Sequence, residues 1–257
     1  MNIAIILAGG RGTRVGADVP KQFVEVLGRP VLSYTIERFQ RHSEVDAIEV
    51  VCRSGWEKEL KAICDAGGFS KVRWIAEGGS TFQESVMSGL DNLEGRISDD
   101  DIVLVHYGAS PFVSDEVISD AIRVCELHGN ASPAHSQVYL AASAGDGEST
   151  TKFLDRDKIM VLNAPQALRY GYARWVYTEG KRRGLVDKVE PHTTSLMFAL
   201  GERVWLSKGS TSNIKITTPD DLRMFEGWVL YERRHAEDET EKSFGLEYEQ
   251  RVSDIQD

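Results

Sequence analysis

The densest chemistry in this chain lies near its amino terminus, between Leu7 and Phe23, in the stretch LAGGRGTRVGADVPKQF. Gly9, Gly10 and Gly12 let the backbone turn sharply and bring bare N–H groups against a ligand, which suits the concentrated charge of phosphate oxygens. Arg11, Arg14 and Lys21 add cations to the same stretch, so a polyphosphate suits it better than a neutral ligand. The spacing matches neither G-x-G-x-x-G followed by a ribose-binding acid nor G-x-x-x-x-G-K-[ST]. A different nucleotide loop is implied, the plain alternative being a strand-to-helix turn with solvated charges.

Three further stretches carry candidate groups. Gly78 and Gly79 permit close backbone approach, while Thr81 and Ser85 either offer hydroxyls to a ligand or cap the helix that follows. His106, Tyr107 and Ser110 lie at and beyond the end of the apolar run DIVLVHY, where ligands of parallel sheets bind, although a histidine there can equally be structural. Lys215, in NIKIT, alternates with apolar neighbours and is read as either snorkelling or binding an anion.

Stepping outward from these groups, strands and helices alternate from the start. Ile3–Ala8, Ile48–Val51, Val72–Ile75 and Asp101–Tyr107 read as strands, and Val31–Phe39, Trp56–Cys64, a segment through Leu93 and Ser114–Leu127 as helices, with Ser114 an N-cap. The alternation predicts an α/β fold of parallel strands joined by right-handed crossovers, its ligand beyond the carboxyl ends of the strands. Val138–Ala142 and Thr151–Leu154, around the turn Gly145-Asp146-Gly147, read as an antiparallel hairpin arm at about 136–160 that makes a natural dimer contact. An aromatic helix from Tyr170 to Lys181, strands at Val204–Ser207 and Asn213–Thr217, and a helix capped at Thr218 with Pro219 at its first position complete a single domain over 1–235. Residues 236–257 read as an acidic, loosely packed extension.

With 257 residues, the chain can bury one large core. Its formal charge of −10 argues against a nucleic-acid partner, and eight acids against two bases place −6 of it beyond residue 235, so a basic pocket can exist in the body. Cys52, Cys64 and Cys125 form no C-x-x-C pair, which points to a reduced cytoplasm rather than a disulfide framework or a zinc site. No run approaches the ~20 apolar residues of a membrane helix.

LAGG-x-GTR…PKQF, GG-x-T-x-Q-x-SV and NIKITTPDDL, in this order over about residues 2 to 228, resemble the cytidylyltransferases that join CTP to a polyol phosphate. These are the methylerythritol-phosphate enzyme and its ribitol-5-phosphate relative. The resemblance implies a single Rossmann-like nucleotidyltransferase domain, helices on both faces of a mostly parallel sheet, a projecting β-arm that dimerises, and attack of the substrate phosphate on the α-phosphorus of CTP. It also implies roles. Arg14 and Lys21 would hold the triphosphate and stabilise the pentacoordinate state, Lys215 would balance charge at the α-phosphate, and Ala8, Gly9, Gly10 and Gly12 would form the phosphate loop. Gly78, Gly79, Ser85 and His106 would serve the nucleotide, and Arg156, from the other subunit's arm, with Gln166 and Thr217 the polyol phosphate.

The chain departs from the family's pattern at several charged positions. Phe82 replaces an arginine, and His106-Tyr107-Gly108-Ala109-Ser110-Pro111 loses a metal-binding aspartate and a second arginine. Ser212 replaces another aspartate, Ala164 a threonine, and an acid pair is altered around His192 and Thr193. Hard Mg²⁺ prefers carboxylate oxygens, so the metal is expected to ride on CTP, with no protein ligand assigned. A ribitol-like phosphate is favoured over methylerythritol phosphate through Trp56 and the Ser212-Asn213 junction. The alternatives are a catalytically silent nucleotide-binding dimer and transfer of a different nucleotide.

Overall fold

In the computed structural model, residues 1–10 and 19–235 are described. The first apolar run forms β1 (Asn2–Ala8), followed by a 3-10 turn at Lys21–Phe23 and a small hairpin, β2 (Glu25–Val26) and β3 (Arg29–Pro30). Next come α1 (Val31–Arg41), β4 (Ala47–Cys52), α2 (Glu57–Gly67), β5 (Val72–Glu77), α3 (Phe82–Asn92), β6 (Ile102–Tyr107) and α4 (Asp115–His128). The second half holds β7 (Asn130–Ser136), β8 (Ala141–Ala142), β9 (Phe153–Leu154), β10 (Met160–Leu162), β11 (Gln166–Arg169), α5 (Tyr170–Arg182), α6 (Thr193–Leu200) and β12 (Leu206–Lys208). Residues 219–235 are helical and form α7 as far as the described residues reach.

Local chemistry sets the helix ends. Ser114 accepts from Val117 N at the start of α4, and Thr81 and Glu84 form a reciprocal capping box at the start of α3. Gly68 closes α2 with φ of 60°, a left-handed conformation that costs glycine little. Before α7, Thr218 Oγ1 accepts from Asp221 N while the Asp221 carboxylate accepts from Thr217 N and Thr218 N.

Strands β5, β4, β1 and β6 pair in that order, all parallel. Beyond β6, β11 runs antiparallel and bridges to β7, which also pairs with β10 antiparallel and β12 parallel. Every residue of β4 is buried because helices cover both faces, as a parallel sheet requires, whereas β5, at the edge, alternates. One core cluster, including Ile36, Phe39, Ile48 and Leu104, lies on one face of the sheet, and another, including Ile5, Val103, Leu90 and Tyr177, on the other. A smaller cluster of Val31, Tyr34, Phe112 and Phe225 fastens α7 to α1 and the β2/β3 hairpin.

The chain winds from β1 outward to β4 and β5, then returns to β6 on the opposite edge of β1. That reversal opens a crevice at the carboxyl ends of β1 and β6.

The expected strands and helices of the first 128 residues form with boundary shifts of a few residues. The arm also forms, Ala141 pairing with Leu154 and Ala142 with Phe153, although its first strand is only two residues of the predicted Val138–Ala142. Five strands and a helix were not anticipated: β2, β3, β7, β10, β11 and α6. The sequence of β7, NASPAHS, has no β-branched residue and contains Pro133, so only its partners identify it as a strand. The predicted strand at Val204–Ser207 lies two residues later, at Leu206–Lys208. Asn213–Thr217 is not a strand: local turn bonds, Asn213 N to Ser210 O and Ile214 N to Ser212 O, occupy its backbone, and Ile216 N reaches Ala109 O at 2.8 Å. The acidic extension 236–257 lies outside the described residues.

Candidate functional site

A cleft of about 460 Å³ opens over the carboxyl ends of all four parallel strands, within the ~300–1,000 Å³ usual for small-molecule sites. Gly9 and Gly10 line it after β1, Arg53 and Ser54 after β4, Gly78 through Phe82 after β5, and Tyr107 and Ala109 after β6. Lys21, Lys215 and Thr217 complete the wall.

The two glycine loops touch backbone to backbone. A Cβ on Gly78 would stand 2.8 Å from Gly9 Cα and 3.1 Å from Cys52 O, closer than packed atoms tolerate, so Gly78 is confined to glycine by close approach. Gly78 N donates to Cys52 O at 2.6 Å, holding the loop to the end of β4. Ser85 Oγ accepts from Gly79 N at 3.1 Å and donates to Thr81 O at 2.9 Å, so this hydroxyl is engaged in shaping the loop. Thr81 is the helix cap, one of its two expected uses.

The cations come together from distant parts of the chain. Lys21 Nζ donates to Ile216 O at 2.6 Å, which puts Lys21 beside Lys215 although 195 residues separate donor from acceptor. Gln22 Nε2 donates to the carbonyls of Ala8 and Gly10 at 2.6 and 3.0 Å and so braces the first glycine loop. Arg53 is a third cation on this wall, and among the described residues its guanidinium makes no hydrogen bond or ion pair. Its turn is tied to that of Lys21, because Trp56 stacks on Phe23 with ring centroids 4.6 Å apart. Arg53 was passed over in the sequence although it follows the predicted strand end, the signal that could have found it.

Phe82 and Tyr107 add aromatic rings to the cleft lining. Phe82 and Tyr107 lie 5.7 Å apart, and His192 meets Phe82 and Tyr107 at 5.9 Å each. Tyr107 Oη and His192 Nδ1 are hydrogen-bonded, and Lys215 Nζ lies 3.7 Å from the Tyr107 ring centroid. Burial pushes the Tyr107 phenol up, so it stays protonated. His192 is held below its ordinary value by burial, with the Lys215 charge adding to the effect and Glu190 opposing it. Phe82 and Tyr107 are thus walls of an open cleft and not a plug within it.

Several expected site residues lie elsewhere. His106 is fully buried on the opposite sheet face from Tyr107, packed on Phe39, its Nε2 paired with Ser110 O at 2.9 Å. Burial pushes its pKa down to about 4, so it is a neutral core histidine and not a nucleotide contact. Gln166 is also buried: its amide donates to Thr194 Oγ1 and accepts from Thr193 N, fastening the start of α6 instead of reaching a polyol phosphate. Ala8 is buried behind the loop with its carbonyl taken by Gln22. Arg156 is on the arm, where Nη1 donates to Val138 O at 3.2 Å, and does not line its own chain's cleft. Gly9, Gly10, Gly78, Gly79, Ser85, Lys21, Lys215 and Thr217 are together on the cleft wall. Gly12 and Arg14, with Arg11, lie outside the described residues.

The wall offers hydroxyls, backbone amides and cations but no carboxylate among the described residues, and no group of three His, Cys, Asp or Glu side chains there could hold a metal. This donor set does not fit a protein-held Mg²⁺, which requires oxygen ligands with negative charge among them.

The family model for 2-C-methyl-D-erythritol 4-phosphate cytidylyltransferase (IspD) matches residues 2–230. The chain is 36% identical to a ribitol-5-phosphate cytidylyltransferase of Lacticaseibacillus paracasei, over 89% of this chain and 98% of the relative. It is equally 36% identical to a 2-C-methyl-D-erythritol 4-phosphate cytidylyltransferase of Clostridium novyi, over 88% and 95%. The crystal structure of the Francisella tularensis 2-C-methyl-D-erythritol 4-phosphate cytidylyltransferase is similar with a TM-score of 0.72 and 28% identity, covering 88% of this chain and 98% of that one.

Proposed function

Since the chain belongs to the 2-C-methyl-D-erythritol 4-phosphate cytidylyltransferase family, a family of CTP-dependent nucleotidyltransferases, we propose that it joins CMP to a small polyol phosphate, with ribitol 5-phosphate the first candidate. An oxygen of the polyol phosphate attacks the α-phosphorus of CTP, the bond to the β-phosphate oxygen breaks, and pyrophosphate leaves with the electron pair. The observation that carries this reading is the meeting of Lys21, Lys215 and Arg53 with two glycine loops in one cleft lacking carboxylates among the described residues. Phosphoryl-type transfer depends chiefly on positioning and on charge stabilisation, which cations and backbone N–H groups supply.

In this reading the Gly9–Gly10 loop and Lys21 hold the triphosphate, Gly79 and Ser85 border the cytidine, and Thr217 lies beside Lys215, whose carbonyl its hydroxyl meets at 3.0 Å. Arg14 and Gly12 belong to the same loop by sequence. Mg²⁺ arrives bound to CTP, not on a protein carboxylate.

The arm supports a homodimer. Tyr139, Leu140 and Phe153 are 77%, 79% and 64% exposed, an apolar surface unusual for a monomer and suited to a second copy, whose Arg156 would then approach this cleft. Cys52, Cys64 and Cys125 are free, and no helix among the described residues is long and apolar enough to cross a membrane, which accords with a cytoplasmic location. Pyrophosphate release measured with CTP and Mg²⁺ against ribitol 5-phosphate and 2-C-methyl-D-erythritol 4-phosphate tests the proposal. Turnover with the ribitol ester supports it, and CTP binding without release on either substrate refutes it.

A further inference from the structure

Lys215 and Thr217 line the cleft from a stretch that belongs to no strand. At its start the backbone bonds are local, Asn213 N to Ser210 O and Ile214 N to Ser212 O, and further on Ile216 N is tied to Ala109 O at 2.8 Å. One such tie fixes a point of the stretch but not the direction from which it approaches.

Two asparagines fix that direction. Asn163 Nδ2 donates to Asn213 O at 2.7 Å, and Asn213 Nδ2 donates back to Ala164 O at 2.6 Å. Each side chain satisfies a carbonyl on the other segment, as ladder bonds do between strands, although neither residue lies in a strand. Asn213 is buried and Asn163 half-buried, so water competes poorly for these bonds, and a buried carbonyl left without its donor costs more than the bond itself contributes.

The Asn163 side of this clasp is firmly seated. Asn163 directly follows β10, the strand by which the arm returns to the body. Its N–H donates to Pro133 O at 2.7 Å and its carbonyl accepts from Ser132 Oγ at 3.3 Å, both on β7, which is paired along both of its edges. The clasp therefore joins the root of the arm and the main sheet to one wall of the cleft.

We propose that Asn163 and Asn213 are positioning residues: their reciprocal amide bonds set the approach of residues 213–217, and so the placement of Lys215 and Thr217 at the transferred phosphate. The clasp acts on the backbone that carries these side chains and is independent of the partners of the Lys215 ammonium. Neither asparagine lines the cleft, so a loss of rate on replacing them reports position and not a lost substrate contact. The phosphate's part in this rests on the cytidylyl-transfer reading of the cleft.

Hydrogen–deuterium exchange followed by mass spectrometry reads the placement without activity. In Asn163→Ala, and in Asn163→Asp, which keeps the size but not the donor, peptides covering 213–218 exchange ~2–10-fold faster while those of β1 and β4 are unaltered. At saturating substrates and well below Tm, kcat falls ~10–100-fold, with a smaller change in KM for CTP. Asn213→Ala acts in the same direction, and the double variant loses less than the product of the two single losses, because both residues serve one clasp. If Asn213→Ala does not fold, the two Asn163 variants carry the test. Unaltered exchange at 213–218 in both of them, faster exchange spread evenly over the chain, or unaltered kcat overturns the proposal. If no polyol phosphate supports turnover by the unaltered protein, the functional reading fails, while exchange still decides whether the clasp holds the segment.

Discussion

Replacing Gly78 and Gly10 by alanine, one at a time, separates what the glycine loops do for the fold from what they do for the ligand. At Gly78 the new Cβ would sit 2.8 Å from Gly9 Cα and 3.1 Å from Cys52 O, backbone atoms that cannot swing aside. Carbon atoms pack best at ~3.5–4.0 Å, so the loops after β1 and β5 must part by about 0.7 Å or more. Overpacking of this kind costs ~1–3 kcal/mol, which for a domain of this size lowers Tm by roughly 2–12 °C. A displacement approaching 1 Å in groups that hold a reacting substrate costs ~10²-fold in rate. At Gly10, by contrast, a Cβ meets nothing within 4 Å among the described residues and φ is not in the left-handed region, so Gly10→Ala keeps or slightly raises Tm through the stiffer unfolded chain. Yet Gly10 lines the cleft, and its methyl would occupy the space of a bound phosphate, raising KM for CTP. Thermal unfolding followed by circular dichroism and initial rates of pyrophosphate release give both readouts. Gly78→Ala with unaltered Tm and CTP kinetics, or Gly10→Ala that loses stability, refutes the loop-contact reasoning.

Arg53→Gln removes a cation whose charge-assisted contact with an anion is worth ~1.5–3 kcal/mol, so CTP affinity falls by ~10–100-fold in titration calorimetry with Tm unchanged; a change below twofold counts against Arg53 as a ligand contact. Glu49 is buried with Oε2 unpartnered and Oε1 accepting from Asn92 at 2.7 Å, and burial pushes its pKa up to about 7. The native state therefore keeps a proton that the unfolded chain releases above about 4.5, so stability falls as pH rises from there through about 7. Glu49→Gln removes this dependence and stabilises the protein at pH 8 by up to ~3 kcal/mol, measured by urea unfolding at pH 5 and pH 8; equal pH slopes in both proteins contradict the assignment. Leu140→Asp combined with Phe153→Asp places charge on the exposed arm and converts a dimer to a monomer in analytical ultracentrifugation, whereas an unaltered sedimentation coefficient excludes the arm as the interface.

The parallel half of the fold was readable in the residues because its signals are local. Apolar runs such as Ile3–Ala8 and Ile48–Val51 need only be covered on both faces, and Thr81, Ser114 and Thr218 cap helices through bonds within four residues. The second half resisted for the complementary reason. β7 has no strand-forming residues of its own, and the extended look of Asn213–Thr217 was outweighed by turn bonds among its neighbours.

What the amino-acid order alone determined, then, is the alternating α/β frame, the glycine loops at strand ends and the cationic, carboxylate-poor set of candidate groups. Tertiary structure decided which of them meet. Neighbours on a strand point to opposite faces, so the sequence could say that His106 and Tyr107 part company but not which faces the ligand; the chain's return from β5 to β6 put Tyr107 in the cleft and His106 in the core. Likewise nothing local links Lys21 to Ile216, whose carbonyl it reaches across 195 residues, because that contact exists only once α7 has packed on α1 and carried the segment before it to the end of β6.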